Sequence, residues 1–152
     1  MTQARISASV VAERLAWIET MVAGIRALPL ESIEAFEADS RTPAAAESYL
    51  RRALEALLDL GRHVLAKGFA QPAAEYRDIP RWLAEHGVIE AAATERWLKM
   101  AGYRNRMVHF YAEISRAELF EICATKQGDI ESAVAAIRAW LAAHPDLIDI
   151  SL

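Results

Sequence analysis

ERWLKMAGYRNRMVHFY, residues Glu95 to Tyr111, is the stretch on which the reading of this chain turns. Its spacing predicts a helix. On a 3.6-residue period Trp97, Ala101, Arg104, Val108 and Tyr111 share one stripe, so Arg104 falls among residues that face another helix. A guanidinium there keeps its charge, because its pKa lies above about 12. It must pair with an anion, reach water in a cleft, or await a ligand, and a phosphate suits it. Gly102, Asn105 and His109 make a polar strip beside the stripe, with Asn105 one turn from His109, where an amide can orient an imidazole. Arg104 and His109 stand roughly 140° apart around the axis and about 7.5 Å along it, so one copy of the helix does not easily aim both at one atom. Two copies related by a two-fold axis would.

Working outward, Tyr76-Arg77-Asp78 leads into a short helix, with Asp78 as N-cap, Pro80 in the first turn, Trp82 and Leu83 inward, and His86-Gly87 as the stop. Ahead of it, a long helix spans about Pro43 to Lys67, capped by Thr42 and ended by Gly68, with Leu50, Leu54, Leu57, Gly61 and Val64 as its core stripe. Arg51, Arg52, Arg62 and His63 lie off that stripe and read as solvated or edge residues, one or two of them bordering a groove. Ile6 to Leu28 carries the first helical face, which Pro29 stops; Trp17 and Met21 widen its apolar side. Leu30 to Ala38 reads as a connector with Ser32 as a cap. Beyond the quoted stretch, Ser115 with Glu118 forms a capping-box signature for a last helix packing through Leu119, Ile122, Cys123, Ile130, Val134, Ile137 and Leu141. A kink or break is expected near Gly128, an end at His144-Pro145, and a tail after it. No window alternates with β-branched enrichment, so no sheet is expected. The reading is all-α: an up-and-down bundle of four long helices plus short ones, one domain over residues 1–152.

With 152 residues the chain can bury a core without metal or disulfide. The net charge of −4 argues against an extended nucleic-acid-coating protein, although residues 96–106 carry Arg96, Lys99, Arg104 and Arg106 without an acid, enough for a local basic cleft. Cys123 is the single cysteine, so no internal disulfide forms, and it reads as a small core residue of a cytoplasmic protein. No apolar run approaches the roughly 20 residues of a membrane span. The four histidines, at 63, 86, 109 and 144, lack metal-ligand spacing, and no phosphate loop or nucleophile elbow is present, so neither metal nor cofactor is expected.

At Arg104, four intervening residues, His109, one more, then Tyr111, the sequence resembles the R-x4-H-x-Y signature of the HepT-like branch of HEPN ribonucleases. Asn105 directly after the arginine, the preceding Met-Ala-Gly-Tyr, the Tyr76-Arg77-Asp78 segment before an apolar helix, the helix order and the chain length extend the likeness over nearly the whole chain. The resemblance implies a HEPN-like homodimeric bundle and a metal-independent endoribonuclease toxin. His109 would be general base on the ribose 2′-OH and Arg104 would neutralise charge on the attacked phosphate, leaving a 2′,3′-cyclic phosphate. Asn105 would orient His109 or touch the phosphate. The implied partner is an MntA-like nucleotidyltransferase antitoxin that AMPylates Tyr111, placing a bulky anion in a cleft shaped for RNA phosphate.

Read from the residues alone, other assignments stay open. Arg104 pairs equally well with Glu55 or Asp59 on the preceding long helix, His109 fits a satisfied core-edge histidine, and Tyr111 a packing aromatic. Arg106 inside the signature leaves room for a different protein class, a non-catalytic helical dimer that docks a nucleotidyltransferase or a nucleotide.

Overall fold

The computed structural model describes residues 5–109 and 114–151. Ser7 starts the first helix: its hydroxyl accepts the Val10 N–H at 3.3 Å and caps α1 (Ala8–Arg26), which buries Val11, Leu15, Ile18, Met21, Val22 and Ile25. Met21 joins the core, but Trp17 is 43 % exposed and does not widen the packed face. Ser32 caps the single turn of α2 (Ile33–Glu37), whose Phe36 is fully buried.

The 29 residues of α3 (Arg41–Phe69) make the axis of the molecule, about 43 Å long. Leu50, Leu54, Leu57, Leu58, Leu60, Val64 and Leu65 are each at most 2 % exposed, and α1 and the later helices pack around them. Two close approaches require glycine. A Cβ on Gly24 of α1 would stand 2.6 Å from the Tyr49 ring of α3. One on Gly61 would stand 2.7 Å from Cγ2 of Ile79, which belongs to α4 (Asp78–Glu85). Gly68 does not end α3. The helix runs on to Phe69 and closes at Ala70 with φ 51°, while Gly68 leaves room for Ile6, whose side chain would lie 3.1 Å from a Cβ there. Helix-ending glycines act through a left-handed φ, and here the next-but-one residue adopts it despite its methyl group.

A left-handed Gly87 at φ 74° follows α4, and a 3-10 turn (Ala91–Ala93) leads into α5 (Thr94–Val108). This corrects the single helix expected over Glu95 to Tyr111: the helical backbone ends at Val108, and His109 is extended at φ −97° and ψ 102°. The stripe is buried at Trp97 and Ala101, joined by Met100, and leaves the core at Arg104, so that Val108 is 42 % exposed. Ser115 caps α6 (Arg116–Thr125) through the Glu118 N–H at 3.1 Å, and α7 (Gln127–Ala143) follows after a break at Lys126, two residues before Gly128. Cys123 is buried, 1 % exposed.

The fold is all-α, with α1, α3, α5 and α7 as the four long helices, and one feature corrects the expectation of no sheet. β1 (Ile6–Ser7) pairs in parallel with β2 (Ile148–Asp149), Ile6 opposite Ile148 and Ser7 opposite Asp149. Two-residue strands are too short to show alternation, so only the meeting of distant segments creates them. They also replace the expected tail. After a 3-10 turn (Pro145–Leu147) the chain returns to the start of α1. Among the described residues no helix is long and apolar enough to cross a membrane.

Candidate active site

Three elements bring polar side chains to one place: α3, the last part of α5, and the segment before α4. Their cleft of about 540 Å³ is lined by Arg62, Glu75, Tyr76, Arg77, Arg104 and Asn105, with Ala74 at the wall. Gly61 lets α4 approach α3 beside it. Because α4 packs directly on α3 at that residue, the segment ahead of α4 is drawn over Asp59 and Arg62, one helical turn of α3.

Tyr76 is the platform of the cleft. Its hydroxyl donates to Oδ1 of Asp59 at 3.0 Å, and burial together with the adjacent Asp59 carboxylate pushes the phenol above its ordinary pKa, so it remains a donor. Two guanidiniums lie against its ring, Arg62 at 4.8 Å and Arg104 at 4.7 Å from the centroid. Arg62 also donates through Nε to the Ala73 carbonyl at 2.9 Å and through Nη1 to Asp59 at 3.3 Å.

Arg104, its side chain 24 % exposed, donates through Nε to Oε1 of Glu55 at 3.3 Å and through Nη1 to Oδ1 of Asn105 at 3.3 Å. Glu55 is shared with Arg51, again at 3.3 Å. The guanidinium both pairs with an acid and reaches water, two of the three ways a cation at this helix position can be accommodated. Asn105 is exposed, and the oxygen of its amide is engaged with Arg104.

His109 caps α5 through its backbone, donating its N–H to the Asn105 carbonyl at 3.1 Å. Its ring is exposed and stands past the end of the helix rather than in the lining of the cleft. Tyr111 lies outside the described residues. The structure therefore brings Arg104 and Asn105 together in the cleft and sets His109 one turn further along the chain. Arg106 turns away to α6, where it forms a two-pronged ion pair with Glu118 at 2.5 and 2.9 Å. Hydrogen bonding in that pair holds the Glu118 carboxyl below its ordinary pKa. This fastens the end of α5.

Sequence reasoning missed Tyr76 as the platform. An aromatic residue beside Arg77 and Asp78 was visible, but nothing in the spacing of residues 59, 62, 76 and 104 announces that they meet. Among the described residues no three His, Cys, Asp or Glu side chains converge as a metal-binding group.

The described residues thus form a bundle of four long helices with an arginine-lined cleft beside the end of α5. The chain belongs to the HepT-like ribonuclease family: the model of the family described as "Ribonuclease HepT-like" matches residues 18–137. Solved structures share the fold. The tri-AMPylated HEPN toxin of Shewanella oneidensis, in complex with an MNT antitoxin, aligns with a TM-score of 0.77 at 22 % identity over 86 % of this chain and 97 % of that one. A toxin–antitoxin structure with AMP-PNP aligns at 0.77 and 21 %, over 86 % and 98 %. YutE of Bacillus subtilis, described as a cytosolic protein of unknown function, aligns at 0.77 and 18 %, over 93 % and 94 %. No curated protein matches the chain in sequence.

Proposed function

We propose that the chain is the endoribonuclease toxin of a toxin–antitoxin pair, cutting RNA without a metal at a cleft shared by two copies. The observation that carries this reading is Arg104: a partly exposed guanidinium, aimed by Glu55, Asn105 and the Tyr76 ring into a polar cleft, five residues before an exposed histidine. His109 takes the proton of a ribose 2′-OH, the 2′ oxygen bonds to phosphorus, and the bond to the 5′ oxygen breaks. The products are a 2′,3′-cyclic phosphate and a 5′-hydroxyl. The leaving oxygen receives its proton from the histidine of the second copy. Arg104 balances the charge that builds on the phosphoryl oxygens, an effect commonly worth about 3 to 4 kcal/mol, and proton transfer adds roughly 10²- to 10⁴-fold. A nucleotidyltransferase antitoxin silences the site by AMPylating Tyr111, whose added phosphate and adenosine compete for the space and charge of the RNA. The AMPylated toxin with its MNT antitoxin among the similar structures supports this pairing.

The test is incubation of the purified protein with RNA in EDTA. Cleavage should persist in chelator, end in cyclic phosphate, and fall at least about 10²-fold in both Arg104→Ala and His109→Ala with helical circular dichroism unchanged. The Glu55–Arg104 ion pair favours one other reading, a non-catalytic dimer that docks a nucleotidyltransferase or nucleotide, with Arg104 as a structural cation. Absence of cleavage by folded wild type, with Tyr111 shown unmodified by mass spectrometry, selects that reading.

A further inference from the structure

Arg62 and Arg104 come from different helices and are held alike. Each rests on the Tyr76 ring, each gives its Nε to a fixed acceptor, and each gives its Nη1 to a side-chain oxygen. Among the described residues no hydrogen bond engages Nη2 of either. Stacking uses the face of a guanidinium and leaves the N–H bonds in its plane to point elsewhere, so a cation fixed by a ring and one edge keeps a donor edge for an anion. The platform is itself tied down by the Asp59 bond. Both guanidinium carbons lie within 4.8 Å of one ring centre, so they are at most about 9.5 Å apart. That is within reach of one nucleic-acid strand.

We propose that Arg62 is a second phosphate-binding residue, set beside Arg104 by Tyr76 so that the pair grips neighbouring phosphates of one RNA strand. This rests on the reading of the cleft as an RNA site, and assigns Arg62 a role in holding the substrate rather than in the chemistry. Asp59 pairs with Arg62, Glu55 with Arg104 and Glu75 with the neighbouring Arg77, which offsets much of the positive charge of the cleft, so recognition depends on the placed N–H donors more than on long-range attraction. A flexible single strand can bend its backbone to both donors, whereas a regular duplex presents its phosphates at fixed positions.

The experiment measures binding apart from cutting. A fluorescent 2′-O-methyl oligoribonucleotide, which lacks the attacking hydroxyl, is titrated with the full chain over a range of salt, and the unmodified RNA of the same sequence is assayed for cleavage. Arg62→Gln should weaken binding about tenfold and lower the salt slope by about 0.7, the share of one phosphate contact on a single strand. It should raise KM by more than it lowers kcat, and Arg62→Lys should recover part of the affinity. Because Arg62 also holds the Ala73 carbonyl, thermal melts accompany each variant. A merely structural role would lower the melting temperature and leave the salt slope of the folded fraction unchanged. Folded Arg62→Gln or Arg62→Lys that binds with wild-type affinity and slope overturns the proposal and leaves the nuclease reading intact. With Tyr111 shown unmodified by mass spectrometry, wild type that binds through Arg62 but does not cut defeats the nuclease reading alone, and wild type that does neither defeats both.

Discussion

At Arg104 the chain holds a cation between a carboxylate, an amide, an aromatic face and water. Its oddity was visible from helical periodicity, and Glu55 was one of two acids the spacing offered as partner. Distinguishing Glu55 from Asp59 required coordinates, since Asp59 is occupied by Tyr76 and Arg62. The Arg104–Glu55 pair is only about a quarter exposed, but Glu55 keeps Arg51 as a partner, so Arg104→Ala should cost about 1 to 2 kcal/mol of unfolding free energy, leaving the protein folded while removing activity, measured by denaturant titration beside the RNA assay. Cys123 behaves oppositely. Burial pushes its thiol up to about 12, so a disulfide reagent at pH 8 should leave it untouched in the native protein and titrate one thiol per chain in denaturant.

Among the elements, α3 and its glycines show how one residue type serves different ends. Gly61 lies under Ile79 and Leu83, so Gly61→Ala should cost about 1 to 3 kcal/mol by overpacking, beyond what helix propensity returns, and should also disturb Tyr76 by moving α4. Among the described residues a methyl group on Gly102 of α5 would meet no neighbouring element within 4 Å, so Gly102→Ala should instead stabilise the fold by about 0.5 to 1 kcal/mol. Melting curves of the two variants, moving in opposite directions, check the pair. Ala70→Gly relieves the left-handed end of α3 and should add about 0.5 to 1 kcal/mol, a rise of a few degrees in a chain of this size. Helix existence and the four long elements were legible because their apolar spacing is sustained. The end of α5 was not, because Arg104 onward leaves the core and the stripe no longer reports burial.

Across the whole molecule, His63 joins the ends to the axis. Its Nε2 accepts the Ser7 N–H at 3.0 Å, next to the β1–β2 pairing, so what reads as an edge histidine on α3 fastens the start of the chain. Burial, then the charges of Lys67 and Arg14, hold its pKa below the ordinary 6.5. The unfolded chain therefore binds the proton more readily than the folded one. The resulting stability is fully present above about pH 6.5 and is lost as pH falls through the lower native value. Denaturant titrations at pH 7.5 and 5.5 should show wild type losing more stability than His63→Gln, and equal losses would remove His63 from the account.

The amino-acid sequence by itself determined the helical class, the main helices, the buried cysteine and the isolation of an arginine near a histidine, because each of these follows from local periodicity or residue chemistry. Tertiary structure alone decided that Tyr76 carries two guanidiniums, that Glu55 aims one of them, that Gly68 seats Ile6, and that the two ends pair as strands. Those contacts join residues far apart in the chain, and only the packing of α3 against its neighbours specifies which of the chemically suitable partners meet.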